Sequence, residues 1–215
     1  MKHIKTYKLF ESFNVDVNFD KIVEILSTEC SEFLEILEKW KIKGVFRGIS
    51  SAYLSNPIVD GFWKKIPQKN REPRDINPVI NKKLNDEFIK KFEIPIRSSG
   101  VFATKDISIA TDYGNHPFFN GRQESFLFFP KNGFRYFWNP QIDDLFTELR
   151  DKKSWYDKDP FFWNSSEKLD FQKIIDGYQE GGIEKVKWQE LTFICDEYYL
   201  VDLDYYDKFL DYFIN

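Results

Sequence analysis

Between Asn18 and Trp40 the apolar residues Ile22, Val23, Ile25, Leu26, Phe33, Leu34, Ile36 and Leu37 return at three- and four-residue intervals; from Gly44 on, apolar residues also come in short runs bounded by glycine or proline. The first spacing is that of an amphipathic helix or a broken pair of helices, with Asp20 as its N-cap, and the second is that of strands. Helices placed early, with many later strands that do not alternate regularly with helices, predict an α+β fold and not a repeated βαβ series. At 215 residues the chain is long enough for one core and needs no second domain.

The predicted elements follow in order. Gly44 to Ile49 reads as a strand, followed by a Ser-rich loop that runs past Pro57 to Gly61. Pro67 to Pro78 reads as an exposed loop before a helix from about Val79 to Phe92. Gly100 to Thr104 is a strand, with Asp106 or Thr104 capping a helix through Ser108, Ala110 and Tyr113. Phe126 to Phe129 is a continuous apolar strand, Phe134 to Trp138 an alternating one, and Pro140 to Leu149 a helix start. A ring-packed loop is expected over Lys152 to Asn164, and a helix from Phe171 to Tyr178 that stops at Gly181-Gly182. Strands at Glu190 to Cys195 and Tyr198 to Leu203 precede a helical stripe of Tyr206, Phe209, Leu210 and Phe213. The expected division is a single domain over 1–215: a helical segment 1–43, a core 44–203 and an aromatic tail 204–215.

With 23 Phe, 11 Tyr and 6 Trp, that core must be built largely from rings. The net charge is −4 and the basic residues are scattered, which argues against binding held mainly by a phosphate backbone. Cys30 and Cys195 are too few for a disulfide framework or a zinc cluster and read as reduced core thiols. Two histidines, His3 and His116, leave neither a His-based triad nor a His-rich metal site, so no metal is expected. Neither a Gly-x-Gly-x-x-Gly nor a Gly-Lys-Ser phosphate loop is present. With no bilayer-length apolar stretch and no leader pattern, the expected compartment is the cytoplasm.

Three strand segments carry a residue that a core strand does not need. Arg47 follows Val45-Phe46 and precedes Gly48, so a guanidinium emerges beside a backbone that a ligand can approach closely; a structural ion pair would explain it equally. Ser98 to Gly114 joins a strand to a helix through small residues, leaving room for a flat ligand or forming an ordinary connection. Glu190 opens the run Leu191-Thr192-Phe193-Ile194 with a carboxylate, which a solvated strand edge also accommodates.

In order and local spelling these three segments resemble the NAD-binding core of the ADP-ribosyltransferases. Phe46-Arg47-Gly48 resembles that family's first strand in its Arg-containing form. Gly100-Val101-Phe102-Ala103, with Ser108, Ala110 and Tyr113, is similar to the middle motif of the poly(ADP-ribose)-polymerase type, and Glu190 resembles the catalytic Glu. Phe102 stands where that motif has Tyr, and Ala110 where it has Ser, leaving Ser108 or Thr104 to supply a hydroxyl. The resemblance implies the family's split, mixed or antiparallel β core and an enzyme that cleaves NAD at the nicotinamide–ribose bond. It implies Glu190 and Arg47 as catalytic residues. It also implies an NAD site of Arg47, Gly48, Phe102, Thr104, Ser108 and Tyr113, with Tyr113 and Phe102 clamping nicotinamide. Arg71 and Arg74 are the expected contacts to a protein or nucleic-acid acceptor. A phage-encoded member would act in the host cytoplasm. NAD hydrolysis, or a non-catalytic binding or inhibitor role on the same fold, are the competing expectations.

Overall fold

The computed structural model describes residues 17–50, 53–72, 78–114, 123–145 and 171–215. The early helical stretch is a broken pair, α1 over residues 17–29 and α2 over Ser31–Lys39, interrupted at Cys30. Helix α1 is already running at residue 17, so Asp20 is not its N-cap. The apolar face reaches further upstream than the spacing suggested, because the Phe19 ring stacks on Tyr205 at 6.1 Å.

Strands β1 (Phe46–Ser50), β2 (Phe62–Lys65), β3 (Val101–Ala103), β4 (Gln123–Pro130), β5 (Arg135–Trp138), β6 (Gln179–Glu180), β7 (Leu191–Ile194) and β8 (Tyr198–Asp202) build two four-stranded sheets. Every pairing is antiparallel, with order β1-β4-β8-β2 in one sheet and β3-β7-β5-β6 in the other. Helices α3 (Pro78–Phe92), α4 (Ile96–Ser99), α5 (Ile107–Gly114), α6 (Phe171–Asp176) and α7 (Tyr206–Phe213) follow, with short 3-10 turns at Ile183–Lys185 and Leu203–Tyr205. The α+β expectation is met. Strands β2 and β6 lie where no strand was expected; both are short and each adds to a sheet edge, β2 with its Phe62 ring buried against Tyr199 at 5.3 Å.

The chain gathers into two compact units. The first comprises the described residues up to Ile66 with Asp106–Phe134 and Cys195–Asn215. Its sheet is centred on β4 and β8, where Phe126 to Phe129 and Tyr199 to Val201 are all essentially inaccessible. A strand with no polar face must be covered on both sides. Helix α5 packs on β1 and β4, while Phe33 of α2 and Phe209 of α7 meet Phe129 at 6.3 and 5.1 Å. Cys30 is buried here, its Sγ 3.9 Å from the Phe129 carbonyl.

The second unit comprises Pro67–Lys105 and Arg135–Ile194. Its core joins Ile80, Leu84 and Phe88 of α3 to Ile96, Phe137, Ile174, Ile175 and Tyr178. The positions 80, 84 and 88 recur every fourth residue, the interval that places side chains on one helical face. Helix α6 ends at Asp176 and not at Gly181-Gly182, because Lys91 Nζ donates to the Ile175, Asp176 and Tyr178 carbonyls at 3.0, 2.8 and 2.7 Å. Those glycines instead form a left-handed turn after β6, with φ of 78° and 74°. Strand β5 does not alternate: Arg135 and Tyr136 are half-buried, whereas Phe137 and Trp138 are both buried, the indole donating to the Gly181 carbonyl at 2.8 Å. Of the helix expected over Pro140 to Leu149, residues 140–144 are not helical and 146–149 lie outside the described residues, as does the expected loop 152–164.

Candidate functional site

Strands β3 and β7 pair with Val101 opposite Phe193, Phe102 opposite Thr192 and Ala103 opposite Leu191. Side chains alternate between faces, so Glu190, one place beyond Leu191, shares the face of Thr192 and Phe102. The close fit of these strands depends on Gly100. A Cβ there would collide with Thr192 Cγ2 and with the Ile96 carbonyl.

Glu190 is 9% exposed, and its backbone N–H donates to the Asp143 carbonyl at 2.8 Å, which holds the residue at the mouth of β7. Its Oε1 lies 3.3 Å from Arg97 Nη1 on α4. The guanidinium carbon of Arg97 stands 4.4 Å from the centroid of the Phe102 ring, and that of Arg71 stands 4.7 Å from the same centroid. Two arginines, one ring and one buried carboxylate therefore form a single cluster. A cation over a ring face is attracted by the ring quadrupole, and the planar guanidinium keeps its edge available for a carboxylate.

Arg97 is aimed by α3. The buried Asn85 accepts the backbone N–H of Arg97 at 3.0 Å and that of Ser98 at 3.3 Å through Oδ1, and its amide donates to Ser98 Oγ. A second brace comes from Arg71, whose backbone N–H donates to the Ser98 carbonyl at 2.9 Å and whose Nη2 donates to the Arg97 carbonyl at 3.2 Å. Helix α4 is only four residues long, so these side chains add to the few backbone hydrogen bonds of its own, Ser99 N–H to the Pro95 carbonyl and Gly100 N–H to the Ile96 carbonyl.

Burial is the main influence on the Glu190 carboxyl and pushes it up to about 7. Arg97 pulls in the opposite direction, Asp144 adds to the rise by charge and by a hydrogen bond, and Arg71 opposes it weakly. A carboxyl balanced in this way is poised near neutral pH, where a general acid or base is most effective. Tyr178, fully buried nearby, has its phenol pushed up by burial and by Glu190.

The remaining expected residues divide between the units. In the second, Thr104 is wholly buried and donates to the Trp188 carbonyl at 3.3 Å. Trp188, two places before Glu190, exposes 45% of its surface while its indole donates to Asp143 Oδ1 at 2.7 Å. In the first, Arg47 is half-buried on β1, its guanidinium carbon 5.7 Å from the Tyr198 ring centroid, and Gly48 pairs with Ser125 on β4. Ser108 is exposed at the start of α5, where Asp106 Oδ1 accepts the Ser108 and Ile109 N–H groups at 2.8 and 3.1 Å. Tyr113 lies on α5, with its side chain outside the described residues, as is all of Arg74.

Sequence reasoning did not single out Arg97, Asn85, Asp144 or Tyr178. The middle motif was read from Ser98, one residue too late to include Arg97, and nothing local marks Asn85 on a helix face. Among the described residues, no group of three or more His, Cys, Asp or Glu stands where it could hold a metal ion, and no helix is long and apolar enough to cross a membrane. No protein-family model, curated protein or solved structure matches the chain.

Proposed function

We propose that this chain is an NAD-dependent ADP-ribosyltransferase that breaks the nicotinamide–ribose bond and transfers ADP-ribose to a protein or nucleic-acid acceptor, with Glu190 acting on the ribose. The observation that carries this reading is Glu190 itself, a buried carboxyl at the mouth of β7 that shares a sheet face with Phe102 on the adjacent strand β3. The proposal rests on the cluster of the second unit. Arg47, Gly48, Ser108 and Tyr113 belong to the first unit and enter it through the resemblance of their motifs alone.

The chemistry asks little of the protein beyond charge and position. The glycosidic C–N bond breaks with its electron pair leaving on nicotinamide, which departs neutral, and positive charge develops on the ribose. An ionised Glu190 stabilises that charge more in the transition state than in the ground state. A lone pair of the acceptor then forms the new bond to the same carbon, and the acceptor proton passes to Glu190 or to water. With water as the acceptor the same site is an NAD glycohydrolase.

One observation favours a second reading, a non-catalytic binding protein. Arg97 already engages Glu190 Oε1, and an ion pair buried to this degree can serve only the packing of its own unit. The two readings separate when the pure chain and Glu190→Gln are incubated with labelled NAD and a cell lysate, following nicotinamide release and label on macromolecules. The transferase reading expects both signals from the wild type and neither from the variant. Nicotinamide release without label identifies the glycohydrolase. Silence in both, without NAD binding, leaves the binding-protein reading.

A further inference from the structure

We infer that Arg97 is the positioning residue for Glu190: seated against the Phe102 ring and braced from α3 by Asn85, it holds the Glu190 carboxyl in one orientation and favours its charged form for reaction. The inference rests on the reading that Glu190 serves NAD cleavage, and it adds a residue and a device that the motif resemblance does not supply.

The geometry separates what Arg97 does from what its neighbours do. Glu190 is faced by Arg97 from α4, by Asp144 from the segment after β5, by Arg71 from the segment before α3, and by Tyr178 from the segment after α6. Arg97 has a charged nitrogen 3.3 Å from the carboxylate and opposes the proton affinity of Glu190 more strongly than Arg71 does. Its Nε is buried without a hydrogen-bond partner, so the guanidinium is directed by its contact with the ring and by its Nη1 bond to Glu190.

Such a site has a mechanical consequence. A lysine in this place would carry the charge but not the planar contact with Phe102. The backbone of α4 would lose its register without the paired Asn85 hydrogen bonds to Arg97 and Ser98. The two substitutions thus test separate halves of the device, charge and bracing.

The experiment uses the full chain labelled with 13Cδ-glutamate, with the Glu190 resonance assigned by its loss in Glu190→Gln. It follows the carboxyl titration by NMR from pH 4 to 9 in wild type, Arg97→Gln, Arg97→Lys and Asn85→Ala, and NAD cleavage across the same pH range. Arg97→Gln is expected to move the Glu190 midpoint upward by at least tenfold in proton affinity. It should move the acid limb of the cleavage profile to higher pH by the same amount, lowering kcat with KM changed less than threefold. Arg97→Lys should restore the midpoint but not kcat. Asn85→Ala should lower kcat with a smaller midpoint shift, and these two variants carry the test if Arg97→Gln does not fold. A Glu190 midpoint that is unmoved in Arg97→Gln, or in Asn85→Ala where Arg97→Gln does not fold, overturns the inference whether or not NAD is cleaved. A midpoint that moves as expected in a chain whose wild type cleaves no NAD overturns the transferase reading and leaves Arg97 as the residue that sets the charge of Glu190.

Discussion

Arg97 and Glu190 lie 93 positions apart in the chain and meet through one contact, Nη1 to Oε1, at 3.3 Å, with 11% and 8% of their side chains exposed. Removing two charges from water is costly unless the pair is well satisfied, and here burial outweighs the arginine and leaves the carboxyl with a raised proton affinity. That imbalance has a measurable consequence for the folded chain.

Between the ordinary value of 4.5 and about 7, folded Glu190 keeps a proton that the unfolded chain has already released. Its contribution to stability is therefore complete below the lower value and is lost as pH rises through the upper one. Glu190→Gln removes this dependence. In urea unfolding the variant is expected to match the wild type near pH 4 and to exceed it near pH 8, by on the order of 3 kcal/mol. Parallel stability curves for the two proteins across this range would sink the idea.

Gly100 is needed for its missing side chain. Gly100→Ala forces a Cβ against Thr192 Cγ2 and the Ile96 carbonyl, so β3 must separate from β7 or α4 must shift. The expected loss is about 1–3 kcal/mol, the usual cost of overpacking. Thr192→Ser on that background should recover only part of it, since the carbonyl remains; full recovery would show that the backbone contact is harmless. The measurement is the denaturation midpoint of the wild type and the two variants.

Asn139 ties the end of β5 to α6. It is 3% exposed, donates to the Ile174 carbonyl at 3.0 Å and accepts the Gln141 N–H at 2.9 Å, while Gly177 packs against its amide. Asn139→Ala leaves a buried carbonyl and an N–H without these partners, at an expected cost of about 1–3 kcal/mol. Hydrogen exchange should accelerate first over residues 171–176. Equal acceleration throughout the chain would mean that the loss is global and not local to this joint.

Both thiols should be inert while the chain is folded. Burial pushes Cys195 up to about 12 against a smaller opposing pull from Arg47, and it pushes Cys30 further still. Since the thiolate is the nucleophile, alkylation at pH 8 should be slower than in denaturant by roughly two to three orders of magnitude. Mass spectrometry of timed samples checks this, and rapid modification of Cys195 in the native chain would contradict it.

The order and type of most elements follow from the sequence because their signals are local. The three- and four-residue spacing marks the α1–α2 pair, and the unbroken run Phe126 to Phe129 marks a buried strand. The short apolar runs before and after Asp196-Glu197 mark β7 and β8. Strand β2 and the two-residue β6 escaped because pairing with a neighbour, not composition, makes them strands. The stop of α6 escaped because Lys91, on another helix, supplies the termination that Gly181-Gly182 seemed placed to give.

Local spelling likewise picked out Glu190 and Phe102, a carboxylate and a ring in strand segments. It did not identify Arg97, whose importance comes from a ring five residues away and a carboxylate 93 residues away, or Asn85, which acts by fixing someone else's backbone. Sequence determined which residue types each strand carries, since that depends on neighbours along the chain. Only the tertiary structure decided which of them touch and what charge Glu190 holds, because burial and the approach of Arg97 and Asp144 are products of folding and leave no periodic trace.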